Sequence, residues 1–208
     1  MTHTLHRVGN RESLQGDYVF LCMPSKDVNH VGSGPKLRRF LELCLKNNCV
    51  TLGDCRKGNE FHQLSRENML DNVEDRAVVT ATFKDKQAVI AMIEDLKKED
   101  LGLSVVISGL VDEVGECCSK TGLKMHTVEH SMGRWGKTEK LPPQEILEIA
   151  TMCGHSMISV NFINEMIDEV KKGKTTPEAA AQELFKPCMC GIFNTDRAAK
   201  LIAEIVKR

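Results

Sequence analysis

Cysteine and histidine side chains near the C-terminus form the pattern with the clearest chemical potential. Cys188 and Cys190 are separated by one residue and followed by Gly191. Thiolates are the ligands that soft metal ions and iron–sulfur clusters prefer, so this pair can supply two ligands. A complete site needs two more. The best suppliers are Cys153 and His155, which lie on the preceding helical segment.

Other interpretations of the same cysteines stay open. Cys117 and Cys118 are the next candidates for ligands. Cys188 and Cys190 could also form a reactive pair that cycles between dithiol and disulfide. The third interpretation is that these thiols pack a helix–helix corner as small apolar side chains. We expect an iron–sulfur cluster or a zinc ion as the cofactor, bound in a protein of redox or cofactor metabolism.

A second candidate site is the stretch from His126 to His130. It has the H-x-x-E-H spacing of a zinc-protease motif, which requires a helix so that both imidazoles share one face. Residues 123–130 instead alternate between apolar and polar side chains and follow Gly122, which predicts a strand. Ligands of parallel α/β sheets bind at the carboxyl ends of strands. We therefore predict catalytic roles for His126, Glu129 and His130, the alternative being ordinary polar residues at a strand edge.

Two glycine-containing loops suggest an alternative function. One lies between a strand and a helix start, where free backbone N–H groups favour anions. The other carries an arginine and the single tryptophan, which can hold an anionic or planar ligand. Together they predict a small anionic-ligand-binding enzyme or sensor with its site at the C-terminal edge of the sheet. The ligand-binding residues of this hypothesis are Gly32, Ser33, Gly34, Lys36, Arg134 and Trp135.

The elements that would position these residues alternate along the first two thirds of the chain. Apolar runs at 18–23, 76–83 and 103–109 predict buried strands, and a helical period follows at 85–99. With the strand expected at 123–130, the order is strand, helix, strand, helix, strand. This order is typical of an α/β fold with a mostly parallel sheet layered with helices.

Strand signals stop near residue 140. Four helices are predicted beyond it, at 143–152, 156–172, 176–185 and from 194 or 195 onward. We therefore predict an α/β domain over 1–140 and a C-terminal helical bundle over 141–208. The Cys188–Cys190 loop lies between the last two helices of that bundle.

Composition limits the classes of partner. The 208 residues include 28 basic and 29 acidic side chains and only seven Phe, one Tyr and one Trp. Nucleic-acid and membrane surfaces normally require a basic excess, and base stacking requires aromatic residues. We expect a small-molecule or protein partner, no nucleic acid and no membrane; a homo-oligomer is compatible with the sequence.

Cysteine usage points to a reducing compartment. The chain has nine cysteines, an odd number, and its first residues lack the apolar stretch of a secretory signal. No apolar run is long enough to span a membrane. We predict a cytoplasmic protein. A further alternative is a non-catalytic interaction subunit whose cysteines are buried structural residues.

Overall fold

A five-stranded sheet forms the centre of the computed structural model, which describes residues 4–207. The strand order is β3-β2-β4-β1-β5, and every neighbouring pair is antiparallel. The strands are β1 (Tyr18–Met23), β2 (Leu52–Asp54), β3 (Gly58–Asn59), β4 (Val79–Phe83) and β5 (Ser104–Ser108).

The prediction of a mostly parallel sheet is therefore wrong. β4 and β5 are joined by a helix and run in the same direction, as the pattern indicates, but β1 lies between them and is antiparallel to both. A strand–helix–strand pattern fixes the relative direction of two strands without making them neighbours. The strand predicted at 123–130 is not formed either, since this segment is irregular and mostly exposed.

The central position of β1 follows from its sequence. Phe20, Leu21 and Cys22 belong to one uninterrupted apolar run, and all three side chains are buried. A strand in the middle of a sheet that is covered on both faces needs such a run. The Phe20 ring packs edge-on against Phe83 of β4, with ring centroids 5.0 Å apart.

Helices from the first part of the chain cover one face of the sheet. The longer ones bury apolar side chains against Phe20 and its neighbours. Asp85 caps one of them by accepting a hydrogen bond from the Ala88 amide at 2.8 Å. These helices are α2 (Gly34–Lys46), α3 (Arg66–Asn72), α4 (Lys86–Glu99) and α5 (Val111–Lys120); the short α1 (Arg11–Leu14), which precedes β1, buries no side chain.

Four further helices enclose a second core that reaches the opposite face of the sheet through Val19. They lie close to the segments in which helical periodicity predicts them, and Thr176 caps the third through the Ala179 amide at 3.2 Å. They are α6 (Gln144–Ala150), α7 (Val160–Lys171), α8 (Pro177–Phe185) and α9 (Thr195–Lys207), preceded by a short 3₁₀ helix at Thr138–Lys140. The division into 1–140 and 141–208 stays a prediction.

A buried ionic network connects the N-terminal segment to the last helix. The Asp17 carboxylate is fully buried and accepts a hydrogen bond from Arg197 Nη1 at 2.9 Å and another from Arg7. The Asn194 amide donates to the same carboxylate at 3.2 Å. Burial lowers the pKa of the Arg197 guanidinium. Because the carboxylate faces two arginines, each charge depends on the others for compensation.

No helix within residues 4–207 is both long enough and apolar enough to cross a membrane.

Removal of the Asp17 carboxylate should strongly destabilise the fold. We expect Asp17→Ala to lower the free energy of unfolding by about 3–5 kcal/mol, because it removes the counter-charge of the buried Arg7 and leaves Arg197 with the more distant Glu148, at 3.6 Å. Chemical denaturation measures this change.

Glu183→Ala serves as the control, since it removes an exposed ion pair to Lys186 at 2.6 Å. We expect it to cost about 0–1 kcal/mol. Equal losses for the two variants would contradict the role assigned to the buried network.

Candidate thiol site

The loop between α8 and α9 brings two separate sequence motifs together. Cys190 Sγ lies 3.5 Å from Nδ1 of His155, which belongs to the turn after α6. In the same place the thiol of Cys188 is hydrogen-bonded to the sulfur of Cys153. The four residues predicted as metal ligands are therefore neighbours. We call Cys153, His155, Cys188 and Cys190 the thiol site.

Two glycines allow the loop to lie directly on strand β2. A Cβ atom added to Gly53 would stand 2.1 Å from the Cys190 carbonyl oxygen. One added to Gly191, which has a φ of +74°, would stand 2.4 Å from the Leu52 carbonyl oxygen. Both distances are impossible for a side chain, so only glycine permits this backbone-to-backbone contact.

Polar side chains of the sheet bind the carbonyl groups of the loop. The Asn59 amide donates to the Cys188 carbonyl at 3.0 Å, and the Thr51 hydroxyl donates to the Gly191 carbonyl at 2.8 Å. The Thr80 hydroxyl donates to the Cys190 carbonyl. Buried carbonyl groups need such partners, so these three side chains fix the loop that carries the thiols.

Arg7 holds the other side of the thiol site. Its guanidinium donates to the carbonyl of Met152 at 3.1 Å and to that of Ile192. One side chain thus joins the turn before Cys153 to the loop after Cys190. The polar and non-periodic sequence around Arg7 gives no signal of this role.

The two cysteines in contact differ in their pKa values. The hydrogen bond from the Cys188 thiol lowers the pKa of Cys153 to about 6, supported by the backbone amides of Met157 and His155 and opposed by burial. The pKa of Cys188 is raised well above its usual value, because its proton is held between the sulfurs of Cys153 and Cys190 and because it is buried. The two cysteines therefore titrate as a coupled pair: the first proton leaves more easily than from an isolated thiol, and the one that remains is shared and leaves less easily.

The thiols lie just below the surface. Cys153, Cys188 and Cys190 are buried, whereas His155 above them is exposed. Met157 is 52% exposed and marks the outer side of the same turn. The buried sulfur of Cys190 is therefore in contact with a residue, His155, that is open to solvent.

Sequence reasoning missed one more thiol at this place. Cys55 follows β2, and its amide continues the ladder to the Val78 carbonyl at 2.9 Å, which puts it on the same face as Gly53. It is exposed, and its thiol interacts electrostatically with Cys190. The period-two spacing from Gly53 is the signal that could have identified it.

The structure separates Cys117 and Cys118 from the thiol site. Both belong to α5 and contact the core on the opposite face of the sheet. Across residues 4–207, no group of three or more His, Cys, Asp or Glu side chains is arranged to hold a metal ion. The thiol site thus consists of two pairs in contact rather than a closed set of ligands.

The predicted catalytic residues lie elsewhere. His126, Glu129 and His130 are exposed in the irregular segment after α5, where they line a cavity beside β5. His126 Nδ1 lies 2.8 Å from the Thr127 hydroxyl oxygen. Because the sheet is antiparallel, the argument that located them at a common carboxyl edge no longer applies. Their catalytic roles stay a prediction.

The predicted anion-binding loop contacts a carboxylate of the chain itself. The amides of Gly32 and Gly34 each donate to Asp75 at 2.7 Å, and these bonds, that from Gly34 foremost, lower the pKa of Asp75. Trp135 is exposed and donates to the Met132 carbonyl at 3.0 Å. None of the six predicted ligand-binding residues lines the cavity beside His126 and His130: Gly32, Ser33, Gly34, Lys36, Arg134 and Trp135 all lie outside it.

The shared proton should be visible in a titration. In the reduced, metal-free protein we expect thiolate absorption in the ultraviolet to rise with a midpoint near pH 6, and Cys153→Ser should abolish this transition. Cys188→Ala should move the midpoint upward, because it removes the donor that stabilises the Cys153 thiolate. A midpoint unchanged by Cys188→Ala would contradict the shared proton.

Comparison with models of known protein families, with curated proteins and with solved structures found no match for this chain. The chemistry of the thiol site is therefore inferred from its own residues, distances and electrostatics.

Proposed function

We propose that the protein is a cytoplasmic protein of redox or cofactor metabolism that binds a soft metal ion or an iron–sulfur cluster at the thiol site. Cys153, Cys188 and Cys190 would supply thiolates, and His155 would supply an imidazole. The observation that carries the proposal is the contact between the Cys153–His155 turn and the Cys188–Cys190 loop, with Cys190 Sγ 3.5 Å from His155 Nδ1.

The donor types fit such a group. Three sulfurs and one imidazole nitrogen form a common ligand set of structural zinc, and thiolates hold iron–sulfur clusters. Binding requires all four side chains to point at one centre. Within residues 4–207 they are arranged instead as two contacting pairs. Side-chain rotation of Cys190 and of the exposed His155 is the smallest movement that would bring them to one centre.

The protein supplies three things to a bound group. The backbone of the loop is held on β2 by Gly53 and by the hydrogen bonds of Asn59 and Thr80, so that the sulfurs start from fixed positions. The neighbours of Cys153 already favour its thiolate, so fewer protons must leave on binding. Burial of the sulfurs excludes water. A cluster would contribute electron transfer, and zinc would contribute structural cross-linking or Lewis acidity.

The state of the cysteines supports the proposed compartment. All nine cysteines are free, and seven of them, all but Cys55 and Cys118, are buried. Free thiols persist in a reducing interior, whereas disulfides are typical of secreted proteins.

A dithiol redox centre is the second candidate function. The contact between Cys153 and Cys188 favours it, because the thiol of Cys188 stabilises the thiolate form of Cys153, which is the nucleophile of such a centre. In this reaction the Cys153 thiolate attacks one sulfur of a disulfide oxidant and expels the other as a thiolate. The Cys188 thiol gives its proton to that leaving thiolate, and its sulfur attacks the Cys153 sulfur of the mixed disulfide, which expels the second oxidant sulfur as a thiolate. Two electrons and one proton move from the protein to the oxidant, and a proton from solvent completes the second oxidant thiol.

Metal analysis of the anaerobically purified protein tests the first proposal. We expect bound zinc, or iron together with acid-labile sulfide. The metal-free protein should bind Co²⁺ with sulfur-to-cobalt charge-transfer absorption. Cys153→Ser, Cys188→Ser and Cys190→Ser should each weaken Co²⁺ binding by more than the roughly 10–100-fold typical of an outer-shell residue.

Cys118→Ser is the matched control, because it removes a thiol on the other face of the sheet and should leave Co²⁺ binding unchanged. Absence of both bound metal and a charge-transfer band would contradict the proposal. In that case we would test the metal-free protein for a Cys153–Cys188 disulfide after mild oxidation, by mass spectrometry of its peptides. Formation of this disulfide would support the dithiol function instead of metal binding.

A further inference from the structure

A large cavity lies at the β5 edge of the sheet. It has a volume of about 760 Å³ and separates β5, α4 and α5 from the irregular segment 123–131, which we call the strap. Its walls are mainly apolar, with contributions from Ile93, Leu96, Val105, Ile107, Val114 and Met125. Cavities that hold small molecules range from about 300 to 1,000 Å³ and share this apolar lining.

The strap is attached loosely and exposes apolar side chains. The Leu123 amide donates to the Cys118 carbonyl at 2.8 Å at one end, and the Ser131 hydroxyl lies 3.2 Å from His6 Nδ1 at the other. Between them Met125 and Val128 are 42% and 48% exposed although they line an apolar cavity. Apolar side chains that are open to solvent on the wall of a cavity are available to an apolar ligand.

Charge distinguishes one end of the cavity. Lys97 of α4 donates to the Thr121 carbonyl at 2.8 Å and has no ion-pair partner within residues 4–207. Lys97 Nζ would lie 3.3 Å from a Cβ atom on Gly122, and Lys124, two residues further along the chain, also lines the cavity. Asp100 and Glu129 are the acidic groups on the rim, while Asp17 is neutralised by its two arginines. An anionic group near Lys97 and Lys124 would therefore be favoured.

We infer that this cavity binds an amphipathic small molecule, with an elongated apolar body along β5 and a carboxylate at the Lys97 and Lys124 end. The strap would pack Met125 and Val128 onto the apolar body. The cavity lies at the β5 edge of the sheet and the thiol site lies on β2, towards the opposite edge, although Arg7 reaches both. The inference uses none of the four thiol-site residues, so its test is separate from that of the proposed metal site.

Displacement of a fluorescent probe tests the inference on the full chain. Anilinonaphthalene sulfonate should bind with saturation and be displaced by a long-chain fatty acid. The single Trp135 lies four residues after the end of the strap and its indole donates to the Met132 carbonyl, so its emission should change on addition of the fatty acid. Met125→Asp should weaken fatty-acid binding about tenfold or more, since it puts a charge against the apolar body.

Matched variants separate the apolar and ionic contributions. Met132→Asp alters an exposed methionine that does not line the cavity, and it should leave binding unchanged. Lys97→Glu should weaken binding of the fatty acid several-fold and leave binding of the alcohol of equal chain length unchanged. Lys98 is the next residue and does not line the cavity, so Lys98→Glu should change the binding of neither ligand.

Two results would overturn the inference. One is binding without saturation, or without displacement by the fatty acid. The other is an equal effect of Met125→Asp and Met132→Asp. Equal affinity for acid and alcohol in both the unaltered protein and Lys97→Glu would overturn the assignment of a carboxylate.

Discussion

The contact of the Cys190–Gly191 backbone with Gly53 is the constraint on which the thiol site depends. A loop that approaches a strand so closely loses water from its carbonyl groups, and each must find a donor in the protein. Asn59, Thr51 and Thr80 are those donors. The thiols of Cys188 and Cys190 are therefore positioned by the sheet as much as by the helices that flank them. The arrangement explains why polar threonines occupy one face of an otherwise apolar strand, β4.

The buried ionic network around Asp17 also fixes the thiol site, on the side away from β2. Arg7 contacts both the Asp17 carboxylate and the carbonyls beside the two cysteine motifs, so the charge balance of the core and the geometry of the site share one side chain. A fixed backbone around movable side chains is compatible with ligand binding. The loop positions the sulfurs, while rotation of Cys190 and His155 would close them around a metal.

Capping residues and apolar periodicity act over a few residues, so they indicated the four C-terminal helices. The contact of Cys153 with Cys188 joins residues distant in the chain, and no local pattern fixes it. The sheet could not be predicted in the same way. The insertion of β1 between β4 and β5 depends on contacts between residues distant in sequence. The alternation at 123–130 predicted a strand, but this segment does not pair with the edge strand β5. Arg7 and Cys55 were missed for a related reason: their partners are known only once the chain has folded.

X-ray absorption spectroscopy of the metal-loaded protein tests the central claim most directly, because it counts the ligand atoms at the metal. For zinc the account predicts three sulfur neighbours at about 2.3 Å and one nitrogen at about 2.0 Å. For a cluster it predicts iron bound by sulfur alone or by sulfur and one nitrogen. In Cys188→Ser the number of sulfur neighbours contributed by the protein should fall by one. A shell of oxygen and nitrogen only, unchanged in that variant, would contradict the assignment of the thiol site as the metal centre.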